Sequence, residues 1–142
     1  MMMALDDIAG RHKLEVFAQT CDEAFKPKHI VAKANLHPDE FASAFKMASV
    51  VVAHAGIGTI LSAKQYGKPL ILMPRKASLG EHRNEHQAAT VQQMRGRKGL
   101  YVADDIEQLE TLLFRTDIQP ADNEPSASRA SLVAFLRDFV DA

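Results

Sequence analysis

Residues 49 to 74 hold two short, uninterrupted apolar runs, Val50 to Ala53 and Leu70 to Met73, separated by a glycine turn and one stretch of helical length. Runs of this kind are too short for helices and too apolar for a half-exposed sheet, so both are strands buried on two faces. Buried parallel neighbours need a crossover between them, and the intervening residues supply it as a short helix. The result is a βαβ unit. Its turn, His54-Ala55-Gly56-Ile57-Gly58-Thr59, lies where a strand hands the chain to a helix N-terminus, so backbone N–H groups there point at whatever binds. An anion, above all a diphosphate, is the natural guest.

The flanking sequence keeps the alternation of helix and strand. Ala4, Leu5, Ile8 and Ala9 have helical spacing and predict a short first helix ending at Gly10. Strands are expected at Leu14 to Ala18 and His29 to Ala32, and Pro38 opens a helix carrying Phe41, Ala44, Phe45 and Ala48. A helix from about Glu81 to Met94, a strand at Leu100 to Ala103 and a helix capped by Asp104 or Asp105 follow. Residues 117–128, rich in Pro, Asp, Asn and Ser, read as a connector, and Leu132, Val133, Leu136, Phe139 and Val140 mark a terminal amphipathic helix. The expected organisation is a domain over 1–116 with residues 117–142 as connector and helix packed on it. Its fold class is α/β, a Rossmann-like doubly wound parallel sheet with right-handed crossovers. Such halves begin with a strand and a glycine turn before the first helix, whereas only Met1, Met2 and Met3 stand ahead of the helix here, so the first strand is expected to be lacking.

A chain of 142 residues, 46% hydrophobic and 25% charged, matches one globular domain with a single core. Cys21 is its one cysteine, which rules out an internal disulfide and a thiolate metal cluster and suits a reducing cytoplasm. It reads as a buried or incidental thiol. No apolar run approaches the roughly 18 residues of a membrane span, and no signal-peptide pattern is present. The net charge of -1 is unevenly spread. Residues 75 to 98 carry six Lys/Arg against two Asp/Glu, which places positive charge just after the second strand of the unit. A solvated helix face is the plainer reading of that cluster.

Two segments carry chemistry. In the first, Gly56 and Gly58 allow close approach to the backbone, Thr59 offers a hydroxyl and an N–H, and His54 could donate to a phosphate. A merely structural turn with a satisfied histidine is the alternative. The second is the dense polar run from Glu81 to Gln87, one βα unit later on the same sheet edge. His82 and His86 also fit the HxxEH pattern of inverted zinc peptidases, but a zinc site needs a third protein ligand and five residues with so few fixed types arise easily by chance. The shared sheet edge favours one binding site made of both segments, with no metal.

Taken in order, His54-Ala55-Gly56-x-Gly58-Thr59, Gly67-Lys68-Pro69-Leu70, Pro74-Arg75 and Glu81-His82-x-Asn84-x-His86-Gln87 resemble the C-terminal domain of glycosyltransferase family 28. The resemblance runs from about Leu5 to Leu113. More narrowly, the chain is similar to the small UDP-sugar-binding subunits of two-subunit N-acetylglucosamine or exopolysaccharide glycosyltransferases. What this implies is the C-terminal half of a GT-B enzyme, with His54, Ala55, Gly56, Gly58 and Thr59 at the donor diphosphate. Gln87 is implied at the donor sugar with Glu81, Asn84 and His86 as neighbours, and Arg75 at nucleotide or phosphate. Many relatives bind the ribose through a Glu in the first helix of the unit, and the corresponding residue here is Ser62.

The function implied is transfer of a hexosyl or N-acetylhexosaminyl group from UDP-N-acetylglucosamine or a UDP-hexose to an acceptor such as a lipid-linked sugar. No cofactor is required and no nucleic acid is expected. A catalytic base is not evident, because in two-domain relatives it comes largely from the other domain. The expected partner is a membrane-associated acceptor subunit, which would hold a cytoplasmic chain at the inner membrane face, and a homodimer is a further expectation. Two alternatives stand beside this reading: a non-catalytic nucleotide-sugar-binding module, and a zinc-dependent hydrolase using His82 and His86.

Overall fold

The computed structural model describes residues 1–75, 85–122 and 127–140. The elements among these residues are, in order, α1 (Met2–His12), β1 (Phe17–Gln19), β2 (Val31–Lys33), α2 (Pro38–Met47), β3 (Val51–Ala53), α3 (Ile57–Tyr66), β4 (Leu70–Leu72), α4 (Glu85–Met94), β5 (Leu100–Val102), α5 (Ile106–Leu113) and α6 (Ala127–Val140). All pairings are parallel: β1 with β2, and β3–β4–β5 with β4 in the middle. These are parallel sheets flanked by helices, an α/β architecture.

The continuous apolar run of β4 explains its central place. Leu70, Ile71 and Leu72 are each 0% exposed, because alternate residues enter opposite layers. Leu70 and Leu72 face a cluster containing Phe45, Ile60, Ala63, Val91 and Met94, which brings in α2, α3 and α4. Ile71 faces the other way, onto Leu5 and Ile8 of α1 and Leu109 of α5. Helices on both faces thus seal a sheet of very short strands. The α1 and α5 ends are also joined through Glu110, which accepts from Arg11 at 2.8 Å and lies 2.7 Å from His12 Nε2.

Some local expectations need correction. The first helix does not stop at Gly10; it continues to His12, and Lys13, at φ 54, forms its left-handed end. Gly10 serves close packing instead, since a Cβ there would stand 2.5 to 2.7 Å from the imidazole of His29. That approach is fixed by Asp6, whose carboxylate accepts the backbone N–H groups of Lys28, His29 and Ile30 at 2.7 to 3.1 Å. These bonds, Lys28 foremost, hold the Asp6 pKa below the ordinary carboxylate range.

The parallel strands form two sheets: no hydrogen bond joins β1–β2 to β3–β4–β5 among the described residues. Helix α1 nevertheless packs on both parts, and Met2 and Leu14 touch the clusters beneath each. Cys21 is exposed rather than buried. Strand β1 is also displaced toward its C-terminal side, occupying Phe17–Gln19. Helix α5 begins as expected, with the Asp105 carboxylate accepting the Gln108 N–H at 2.8 Å. No helix among the described residues is long and apolar enough to cross a membrane.

Candidate functional site

Strand β3 ends at Ala53, and the chain reverses within three residues before α3 begins at Ile57. The reversal is held from within: the Gly56 N–H donates to the His54 carbonyl at 2.7 Å, and Gly56 is the N-cap of α3 with φ -105. A glycine N-cap has no side chain to satisfy the helix N-terminus. The N–H groups of Ile57, Gly58 and Thr59 therefore have no partner among the described residues, and they carry the positive end of the α3 dipole.

Neither glycine is required by backbone strain, because neither has a positive φ. Space is what they provide. A Cβ on Gly58 would meet nothing within 4 Å, and one on Gly56 only the His54 carbonyl at 3.9 Å. The N-terminus of α3 is thus bare of protein atoms on the side where a ligand could approach. Ala55 differs in that its methyl is buried in the core, so only its backbone can meet a ligand. Thr59 is half-buried, and its hydroxyl has no hydrogen-bond partner among the described residues. Ser62 lies one turn after Gly58 on the same side of α3.

His54 shows what sequence alone could not supply. Its Nδ1 lies 2.8 Å from the Met73 carbonyl, just beyond β4. A carbonyl only accepts, so Nδ1 carries the proton and Nε2 is the nitrogen left for a ligand. In the neutral ring that atom accepts; it donates to a phosphate only in the imidazolium form. The same bond ties the ends of β3 and β4 together, because Ala53 is in register with Leu72. Pro74 and the exposed Arg75 follow on this edge.

Topology brings the later segment to the same edge. Helix α4, 10 residues and about 15 Å long, returns the chain to the start of β5, so its first turn lies at the carboxyl ends of the strands. His86 and Gln87 occupy that first turn, while their side chains lie outside the described residues. Glu81, His82 and Asn84 lie outside them entirely. Of the sequence-derived set, then, His54, Gly56, Gly58, Thr59 and Arg75 stand together at the edge, and the backbone at His86 and Gln87 comes to the same side. No group of three His, Cys, Asp or Glu residues arranged for a metal is present among the described residues. An open groove of about 460 Å³ runs instead along β5 and α5, between Val102 and Arg115, and includes none of the candidate residues.

A bare helix N-terminus at the carboxyl edge of a parallel sheet is what a diphosphate-binding domain presents. The model of the glycosyltransferase family 28 C-terminal domain matches residues 5–141. The chain belongs to that family. The match extends past α5 through the connector and all of α6, beyond the region over which the motifs were recognisable. Comparison with curated proteins and with solved structures returned no match. Membership of family 28 supports a sugar-donor-binding role in glycosyl transfer, and its C-terminal domain accounts for the parallel strands and flanking helices.

Proposed function

We propose that this domain binds the diphosphate of a UDP-sugar at the N-terminus of α3 and acts as the donor half of a glycosyltransferase. The observation that carries the reading is the pair Gly56 and Gly58 at a helix N-terminus whose N–H groups have no partner among the described residues, beside His54. In this reading Thr59 contacts the diphosphate and Arg75 the nucleotide or a phosphate. Gln87, with Glu81, Asn84 and His86, meets the sugar. The donor is UDP-N-acetylglucosamine or a UDP-hexose.

In the transfer step the bond from the anomeric carbon to the diphosphate oxygen breaks and a bond from that carbon to an acceptor hydroxyl oxygen forms. Negative charge grows on the departing UDP, and the acceptor proton passes to a base. The α3 N-terminus with His54, Thr59 and Arg75 would stabilise the leaving group without a metal, as preorganised donors do at oxyanion sites. The base and the acceptor site belong to a partner, a membrane-associated acceptor subunit that holds the chain at the cytoplasmic face. Residues 1–116 form the binding domain, with residues 117–142 as its connector and packing helix.

The test is calorimetry with UDP and UDP-N-acetylglucosamine, followed by transfer assays with and without the acceptor subunit. Binding by the chain alone, with transfer only in the partner's presence, is expected. Absence of UDP binding removes the proposed site, and transfer unaffected by the partner removes the two-subunit reading. Ser62, standing where many relatives have a ribose-binding Glu, favours a second reading as a non-catalytic binding module. Binding without turnover even beside the partner would select it.

A further inference from the structure

Strand β5 ends the three-stranded sheet on one side, and its outer edge is open. The Leu70 N–H donates to Gly99 O and the Ala103 N–H to Leu72 O, so Gly99, Tyr101 and Ala103 turn their peptide groups toward β4 while Leu100 and Val102 turn theirs outward. The Leu100 N–H is taken by Arg97 O at 3.1 Å. The Val102 N–H and C=O and the Leu100 C=O have no partner among the described residues. Val102 is half-buried, where an unpaired peptide group is costly. Open spaces of about 460 and 390 Å³ adjoin this edge and share Val102, Leu112 and Arg115, so they form one groove along the strand. Helix α5 walls it through Thr111 and Leu112, and the end of α4 walls it through Arg95, which donates to Asp104 at 2.8 Å.

The charges along the groove are ordered. Glu107 and Thr111 on α5 and Arg115 just beyond it follow at intervals of four and form one row, acidic at the carboxyl end of β5 and basic toward its amino end, where Arg97 adds a second cation. The Glu107 carboxylate has no partner among the described residues, since only its backbone carbonyl is used, by the Thr111 hydroxyl. Arg115 is held at the edge with its guanidinium 5.7 Å over the Tyr101 ring. Its Nε and Nη2 donate to Asp117 at 2.8 and 2.5 Å, which leaves Nη1 for another acceptor. A row that is acidic at one end, small in the middle and basic at the other complements itself after a half-turn: Glu107 meets Arg115, Thr111 meets Thr111, and Arg115 meets Glu107. The same half-turn, about an axis normal to the sheet, sets two β5 edges antiparallel. At Val102 each copy's N–H then reaches the other copy's carbonyl. An unrelated extended peptide would satisfy the backbone edge but has no reason to match this order of charge.

We propose that β5 is the interface of a two-fold dimer, in which the β5 strands of two copies pair antiparallel around Val102 into one continuous sheet and Glu107 of each copy meets Arg115 of the other. Helices α5 of the two copies then lie side by side on one layer and the ends of α4 on the other. The edge that a lone chain would leave as a template for indiscriminate strand pairing is thereby closed. Antiparallel pairing turns the two α3 N-termini to opposite ends of the joined sheet, so the dimer neither covers nor requires the diphosphate site proposed above.

Sedimentation velocity on the full chain without nucleotide tests the interface independently of donor binding. The native chain should sediment as a dimer. Glu107→Arg and Arg115→Glu should each weaken association at least about tenfold, because each sets like charges face to face twice across the two-fold axis. An equimolar mixture of the two variants should form a heterodimer of native affinity, since every contact in the mixed pair again joins opposite charges; that recovery also shows that both variants are folded. In the native dimer the Val102 amide should exchange more slowly than in either variant alone. A native chain that stays monomeric at millimolar concentration overturns the proposal and leaves the edge to a strand of another protein. A dimer indifferent to both substitutions, or weakened variants that do not recover on mixing, overturns it by placing the contact elsewhere.

Discussion

Replacing Gly58 by alanine separates a ligand cradle from a structural turn, because the two readings predict opposite outcomes. Gly58 is the second residue of α3, has no positive φ, and its added Cβ would have no protein atom within 4 Å. Alanine is favoured over glycine in a helix by about 0.5–1 kcal/mol, mainly by restricting the unfolded chain. In a domain of this size the Gly58→Ala variant should therefore melt roughly 2–4 °C higher. The same methyl occupies the space a diphosphate oxygen needs to reach the N–H groups of the first turn, so UDP affinity should fall at least about tenfold, or about 1.4 kcal/mol. Gly67→Ala is the contrasting control: at φ 62 the new side chain has room but not conformation, and stability should drop by about 1 kcal/mol with UDP affinity kept. Differential scanning calorimetry and titration calorimetry read the two quantities. A stabilised Gly58→Ala variant that binds UDP unchanged would refute the assignment of the α3 N-terminus to the ligand.

Three further outcomes follow from particular contacts. With Nδ1 committed to Met73, His54 offers only Nε2 to a ligand, and His54→Ala should weaken UDP binding by about 1.5–3 kcal/mol; unchanged affinity in titration calorimetry would contradict this. Gly10→Ala should destabilise by about 1–3 kcal/mol through its collision with His29 despite the better helix former, and in a His29→Ala background it should become neutral or stabilising. Asp6 has its pKa lowered by backbone N–H donors, so it stabilises the fold above the unfolded carboxylate value and that contribution is lost as pH falls through the folded one. Asp6→Asn should accordingly flatten the acid limb of a stability-versus-pH curve, and an unchanged slope would show that the Lys28 to Ile30 amides do not depend on the charge.

Periodicity and turn chemistry were sufficient for most of the fold. The two apolar runs around residues 50 and 70 could only be doubly buried strands, Pro38 and Asp105 marked helix starts by local rules, and the ordered motifs named the family that the match over residues 5–141 establishes. Local rules misled at Gly10, which sequence reads as a helix stop and packing uses as the one residue small enough to sit against His29. They were silent on His54, because the partner that fixes its tautomer, Met73, lies 19 positions away and is chosen by strand register. By itself, then, the amino-acid order determined element types, the α/β class and the glycine turn that opens α3, since these depend on side-chain period and backbone preference over a few neighbours. Only the tertiary structure decided which segments share an edge, which imidazole nitrogen of His54 remains for a ligand, and that the strands form two sheets, since each depends on contacts between segments distant in sequence.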